Sequence, residues 1–255
     1  MKHLPLLTLL LFTAQPQPQP IPVRYHQGTF HGFLELRSQD NQILASGDST
    51  QVVHNGLITA RTFFTFKDGS IDDETTVYTQ GRTFHLLTDR HIQRGPAFPH
   101  PMDVLVDTRT SQITVRAADK DGKEQVDTTR LTLPANIANG MVPLALENLP
   151  PDSPGTTLSM VVVAPKPRLV KLIISNIGED PYSVAGSPRK ATHFTIRIDL
   201  GGVAAIVAPI INKQPPNIQL WIVGSPAPAF AREVGPLYPE GPITTIQLTS
   251  PTWPQ

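Results

Sequence analysis

From Thr192 to Leu200 the chain alternates strictly, with Thr192, Phe194, Ile196, Ile198 and Leu200 on even positions and His193, Thr195, Arg197 and Asp199 on odd ones. Successive side chains of a strand point to opposite faces, so the pattern makes one face dry and the other wet and predicts a half-buried antiparallel strand. The same rhythm sets Phe30, Leu34 and Leu36 against His31, Glu35 and Arg37, Ile113 and Val115 against Thr114 and Arg116, and Ile218, Leu220 and Ile222 against Asn217 and Gln219. Asp40-Asn41, Asn55-Gly56, Asp68-Gly69, Gln80-Gly81 and Asp121-Gly122 separate short β-prone runs, the punctuation of a meander of hairpins. Twenty-seven prolines and only 16% charged residues suit many loops and strands better than long helices.

One segment departs from this rhythm. Between Pro134 and Pro150, Ile137, Met141, Leu144, Ala145 and Leu149 fall at three- and four-residue spacings, which predicts a short amphipathic helix over 135–149, weakened by Gly140 and kinked or shortened by Pro143. Strands before it and after it predict a mainly β fold: a large curved antiparallel sheet or half-open barrel with one short central helix packed on its concave face. A closed barrel or a sandwich is the competing architecture. Val203 to Ile211 is the most hydrophobic stretch and reads as a buried connection plugging one end of the sheet, or as a lid or membrane-touching loop.

The start of the chain bears on location. Lys2 and His3, an apolar run of eleven residues from Leu4 to Ala14, and the Gln-Pro repeat of Gln15 to Pro20 have the layout of a secretory signal peptide and a stiff spacer. This reading divides the chain into a signal peptide at 1–14, a Pro/Gln-rich spacer at 15–27 and a single β-rich domain at 28–255, periplasmic or secreted. Phe12 stands where a small residue is preferred before a cut after Ala14, which leaves an uncleaved, membrane-tethered form open. The chain has no cysteine, so its stability cannot rest on disulfides in an oxidising compartment. Twenty-one basic and twenty-one acidic residues cancel, leaving no global field to attract nucleic acid.

Chemical signatures are thin. His85, Asp89 and His91 follow the acidic run Asp72-Asp73-Glu74, and a hairpin would let alternate side chains converge on a metal, yet the spacing matches no ligand code and solvent-facing strand histidines explain it as well. Within the acidic run only Asp72 and Glu74 share a face, which reads as a solvated edge that discourages strand-on-strand aggregation, with glycosidase-like acid–base work as the alternative. Ser187 and Lys190 match S-x-x-K by letter, but Gly186 and Pro188 make that stretch an exposed turn. No GxSxG, Walker loop or GxGxxG is present.

Gly201-Gly-Val-Ala-Ala-Ile-Val-Ala-Pro209, Lys213-Gln-Pro-Pro216, Gln219-Leu-Trp-Ile222, Pro228-Ala-Phe230, Gly235-Pro-Leu-Tyr238 and Gly241-Pro-Ile243, with His91-Ile-Gln-Arg-Gly95 and Pro99-His-Pro-Met-Asp103 before them, resemble an uncharacterised family of secreted bacterial hypothetical proteins. That family brings no assigned activity. In layout alone the chain is also similar to periplasmic lipoprotein carriers, whose curved sheet cups an apolar ligand. Two function classes follow. The first is an exported binding or scaffolding protein without a cofactor, holding an apolar or lipid-like molecule against the dry faces of Phe30, Leu34, Phe64, Phe66, Phe194, Ile196, Ile198 and Trp221, unless these residues simply pack on one another and on the helix. The second is a hydrolase or metal-dependent enzyme that uses His85, Asp89, His91 and His100 in a cleft.

Overall fold

The computed structural model describes residues 19–118, 122–150, 152–163, 166–184, 186–201, 215–224 and 227–249. Fourteen strands form one antiparallel sheet: β1 Phe30–Ser38, β2 Ile43–His54, β3 Leu57–Phe66, β4 Ile71–Gln80, β5 Phe84–Arg94, β6 Met102–Asp107, β7 Gln112–Ala118, β8 Glu124–Arg130, β9 Gly155–Val163, β10 Pro167–Val184, β11 Ser187–Asp199, β12 Ile218–Val223, β13 Ala229–Pro236 and β14 Ile243–Thr249. The order across the sheet is β8-β7-β6-β5-β4-β3-β2-β1-β14-β13-β12-β11-β10-β9. Two meanders thus meet where β1 pairs β14, with β8 and β9 as the outer edges, and the sheet curls without closing. Its concave side gathers one core from both meanders, including Ile58, Tyr78, Phe84, Val106, Ile113, Leu158, Val170, Leu172, Phe194, Ile196, Leu220 and Ile222.

The hairpins sit where the turn residues place them. Asn55 and Gly56, both at positive φ (50° and 77°), make the two-residue turn between β2 and β3, a conformation that most residues resist and that Asn-Gly adopts readily. Asn41 and Gly69, also at positive φ, turn β1 into β2 and β3 into β4. In β11 the dry face is as expected: Phe194 and Ile196 are buried and Arg197 is exposed.

The expected helix over 135–149 is only half helical. Among the described residues the one helix is α1, Val142–Glu147, with Pro143 in its first turn, where a missing N–H costs nothing. Its Leu144, Ala145 and Leu146 are buried in the core, and it packs beside β12 and β13. The half before Gly140 does different work. Ile137 bridges Ser159 in parallel, the Ala138 amide donates to the Ser159 carbonyl at 2.8 Å, and the Ser159 amide donates to the Asn136 carbonyl at 3.1 Å. Asn139 donates to the Val161 carbonyl and accepts from the Val161 amide (2.9 and 2.8 Å), and the Asn136 amide donates to the Thr157 carbonyl. Short side-chain amides therefore satisfy the edge of β9 that a neighbouring strand would otherwise take.

Residues 19–27, expected as the end of a spacer, are built into the fold. Ile21 is buried in the core, Pro22 bridges Thr83, the Val23 amide donates to the Arg82 carbonyl, and the Arg24 and Tyr25 amides both donate to Asn148 Oδ1. Helix, N-terminal segment and β4–β5 turn thus plug one end of the half-barrel. The signal-peptide region 1–14 and the apolar stretch Val203–Ile211 lie outside the described residues.

Candidate functional site: an acidic interior and an aromatic end cavity

Above the plug the interior turns polar. On the inward face of β4 stand Asp72, Glu74, Thr76 and Tyr78, and the register with β5 sets Asp72 against Gln93, Glu74 against His91 and Thr76 against Asp89. Asp72 Oδ1 lies 2.7 Å from His91 Nε2, while Asp72 Oδ2 accepts from Gln93 Nε2 at 2.9 Å. One turn of the pleat lower, the Thr76 hydroxyl donates to Asp89 Oδ1 at 2.8 Å, and Gly140 presses on this pair from the segment before α1. Tyr78 donates its hydroxyl to Gln51 Oε1 at 2.7 Å, and Gln51 donates on to the Gly28 carbonyl. The other meander adds Glu233 of β13, which stands opposite Leu220 and Ile246. Its charge reaches Glu74 across the interior.

This environment disfavours charge on the carboxyls. Burial pushes Glu233 up to about 7. Burial, then the neighbouring charge of Glu74, pushes Asp89 up to about 8 against the opposing pull of the Thr76 hydroxyl. Glu74 is raised by burial, partly offset by His91 and reinforced by Asp72 and Glu233. Glu147, at the end of α1, is raised to about 7 by burial, although its Oε1 accepts from the Phe230 amide at 2.9 Å. Burial alone would lower His91, but the Asp72 hydrogen bond and the charges of Glu74, Asp72 and Asp89 outweigh it and hold the imidazole at about 9. The layer is therefore a hydrogen-bonded His91–Asp72 pair among carboxyls whose hold on their protons is strengthened by burial.

At the end opposite the plug, the β1–β2 turn, the β3–β4 turn, the β5–β6 loop and the β13–β14 turn border an open cavity of about 430 Å³. Its walls are Leu36, Ile43, Leu44, Phe66, Ala97, Phe98, Leu237, Tyr238 and Pro242, with Gln42, Lys67, Asp68 and Thr244 as the polar members. Phe98 meets Phe66 and Tyr238 edge-on, with ring centroids 5.3 and 5.8 Å apart, so the aromatic wall is pre-packed. Behind these walls Leu34, Leu36, Ala45 and Phe64 form a small buried cluster on which Leu44, Phe66 and Leu237 pack. Gln93 joins the two regions, because its Nε2 also donates to the Leu237 carbonyl at 3.0 Å.

Of the eight dry-face residues expected to meet a ligand, Phe66 lines this cavity, whereas Leu34 and Phe64 are buried in the cluster packed behind its wall. Phe194 and Ile196 are spent in the main core, with Ile198 packed against it. Phe30 shares the face of Leu34 but stands at the strand end and is 47% exposed. Trp221 lies on the convex side, stacked on His193 at 4.1 Å, donating to Asp180 and covered by Arg232. The convergence of His85, Asp89 and His91 offered as the alternative to solvent-facing histidines does not occur. His85 is exposed and pairs with Thr83, whereas Asp89 and His91 face inward, and His100 is exposed in the β5–β6 loop. Among the described residues no three His, Asp or Glu side chains gather as a metal-binding group. Asp72 and Glu74 share a face as expected, but β4 is an inner strand and that face is the interior, so they are no solvated edge. Ser187 and Lys190 are both exposed at the start of β11, three residues apart on a strand, and Lys190 pairs with Glu179.

Sheet, plug and cavity define an open, β-barrel-like domain. The chain is similar to a solved β-barrel-like protein of a domain of unknown function, DUF1849, from Brucella abortus, at 8% identity and a TM-score of 0.46, with 88% of this chain and 96% of that one covered. No family model matches the chain. No curated protein matches it either.

Proposed function

We propose that the protein is an exported binding protein that holds an apolar small molecule in the end cavity. The observation that carries this reading is the cavity itself: about 430 Å³ of space walled by Leu, Ile and aromatic side chains, within the size range of small-ligand sites. The basic start and apolar run of residues 2–14 support export. The His91–Asp72 pair does not favour an enzyme, since among the described residues no hydroxyl is hydrogen-bonded to the imidazole and the Thr76 hydroxyl is spent on Asp89.

The test is titration with the apolar fluorophore 1-N-phenylnaphthylamine, run on the wild type and on Ala97→Trp, whose indole would occupy the cavity. Saturable binding that the substitution removes without loss of the folding transition supports the reading. Equal binding by both, or none by the wild type, refutes it.

A further inference from the structure

The polar groups at the cavity say which apolar molecule fits. We propose that the ligand is a single-chain amphiphile with an anionic head, its chain against Phe66, Phe98 and Leu237 and its head on the Lys67 ammonium. This rests on the cavity being the binding site. Lys67 follows the last residue of β3, and its backbone amide donates to the Leu44 carbonyl, which fixes the root of the side chain at the cavity wall. Among the described residues its ammonium makes no ion pair and no hydrogen bond, although the same structure pairs Arg61 with Asp73, Arg90 with Asp103 and Lys190 with Glu179. The Tyr238 hydroxyl and the Gln42 side-chain amide, both at the same cavity, are likewise without a hydrogen-bond partner among the described residues.

Asp68 Oδ1, the Thr244 side chain and the Leu237 carbonyl, by contrast, are already engaged. Asp68 is the acidic residue of the lining, and its Oδ1 accepts from the Ser70 amide at 2.8 Å, a bond that holds its carboxyl below the usual range and turns it into the β3–β4 turn. The Thr244 hydroxyl donates to the Gly235 carbonyl, and the Leu237 carbonyl accepts from Gln93. The cavity thus offers uncommitted donors and one uncommitted cation beside an apolar wall, the complement of a carboxylate or phosphate ester on a hydrocarbon chain. A cationic head would meet a like charge at Lys67.

The experiment displaces 1-N-phenylnaphthylamine from the full-length protein with dodecanoate or with dodecyltrimethylammonium, which carry the same chain under opposite heads, in the wild type and in Lys67→Glu. Lys67 is exposed, so the substitution leaves the fold intact, and a thermal melt verifies it. We expect dodecanoate to displace the fluorophore at concentrations on the order of fivefold lower than the cation, with the order reversed in Lys67→Glu and the difference shrinking at high salt. Equal displacement by the two heads, a preference for the cation, or a preference that Lys67→Glu leaves unchanged overturns the anionic head while leaving an apolar cavity site standing. Fluorophore binding without displacement by either amphiphile also overturns it, and no fluorophore binding at all defeats the cavity reading and this one together.

Discussion

Glu233→Gln is the sharpest probe of the interior, because it removes one proton site and little volume. The native carboxyl is raised from 4.5 to about 7 by burial. Between those values the unfolded chain has lost this proton and the native protein keeps it, so unfolding releases a proton and rising pH favours the unfolded state. The stability associated with a neutral Glu233 is fully present below pH 4.5 and is lost as pH rises through about 7. The shift spans roughly 2.5 pKa units, and at about 1.36 kcal/mol per unit the loss is about 3 kcal/mol. Gln carries no such penalty. Relative to the wild type, Glu233→Gln should therefore gain about 3 kcal/mol between pH 4 and pH 8.5, whatever its offset at pH 4.

The assay is urea unfolding followed by far-UV circular dichroism at half-unit steps of pH, read as the difference between the two proteins. Subtraction matters, since Glu147 and Asp89 are raised to about 7 and about 8 and add losses of the same sign. His91 acts in the same direction: its imidazolium is stabilised in the native state, a contribution fully present below pH 6.5 and lost as pH rises through about 9. The variant should still weaken toward alkaline pH, but less steeply. Two parallel profiles, with a difference constant to within about 0.5 kcal/mol, would refute the claim that Glu233 is held neutral inside the sheet.

Two further substitutions test the packing. An added Cβ at Gly140, where φ is 63°, would lie 1.9 Å from Thr76 Oγ1 and 2.6 Å from Asp89 Oδ1, so Gly140→Ala should cost about 3 kcal/mol or more in urea unfolding, and a cost below about 1 kcal/mol would show that the segment does not press on this pair. Ile196→Asp should abolish cooperative unfolding at neutral pH by placing a charge at a site 2% exposed, while Arg197→Asp on the wet face should move the melting temperature by only a degree or two, and equal shifts would overturn the register of β11.

The meander was legible because its signals are local. Asn55-Gly56 or Asp68-Gly69 fixes a turn with no help from the rest of the chain, and the alternation in 192–200 needs only its neighbours. The same alternation, applied to Ile218, Leu220 and Ile222, already turns Trp221 to the opposite face, so its place on the convex side was readable in the sequence. The helix was half legible. Ile137 and Met141 repeat at helical spacing because both enter the core, one from an edge-covering strand-like segment and one from the residue that precedes α1. The acidic layer was not legible, since β4 carries Asp72 and Glu74 on one face and Asp73 and Thr75 on the other, and without hydrophobic contrast nothing says which face is inside. Nor was the cavity, whose Leu36 and Phe66 come from the ends of β1 and β3 and whose Phe98 and Tyr238 come from two connections far apart in the chain.

The polar interior also answers how a sheet that does not close keeps its curl. With β8 and β9 unpaired to each other among the described strands, no ladder joins the two meanders along that seam. Besides the β1–β14 ladder and the shared apolar core, hydrogen bonds across the concave side tie the meanders to each other and to the plug. The Gln93 amide reaches the Leu237 carbonyl from β5 to the far turn, the Phe230 amide of β13 reaches Glu147, and the amides of Arg24 and Tyr25 reach Asn148 at the end of α1. Each bond ends on a group that would be costly to leave bare, so loosening the curl would strand a buried carbonyl, carboxyl or amide. Gln93 is the member that faces both ways, holding Asp72 in the acidic layer and the cavity wall at Leu237 with the same nitrogen.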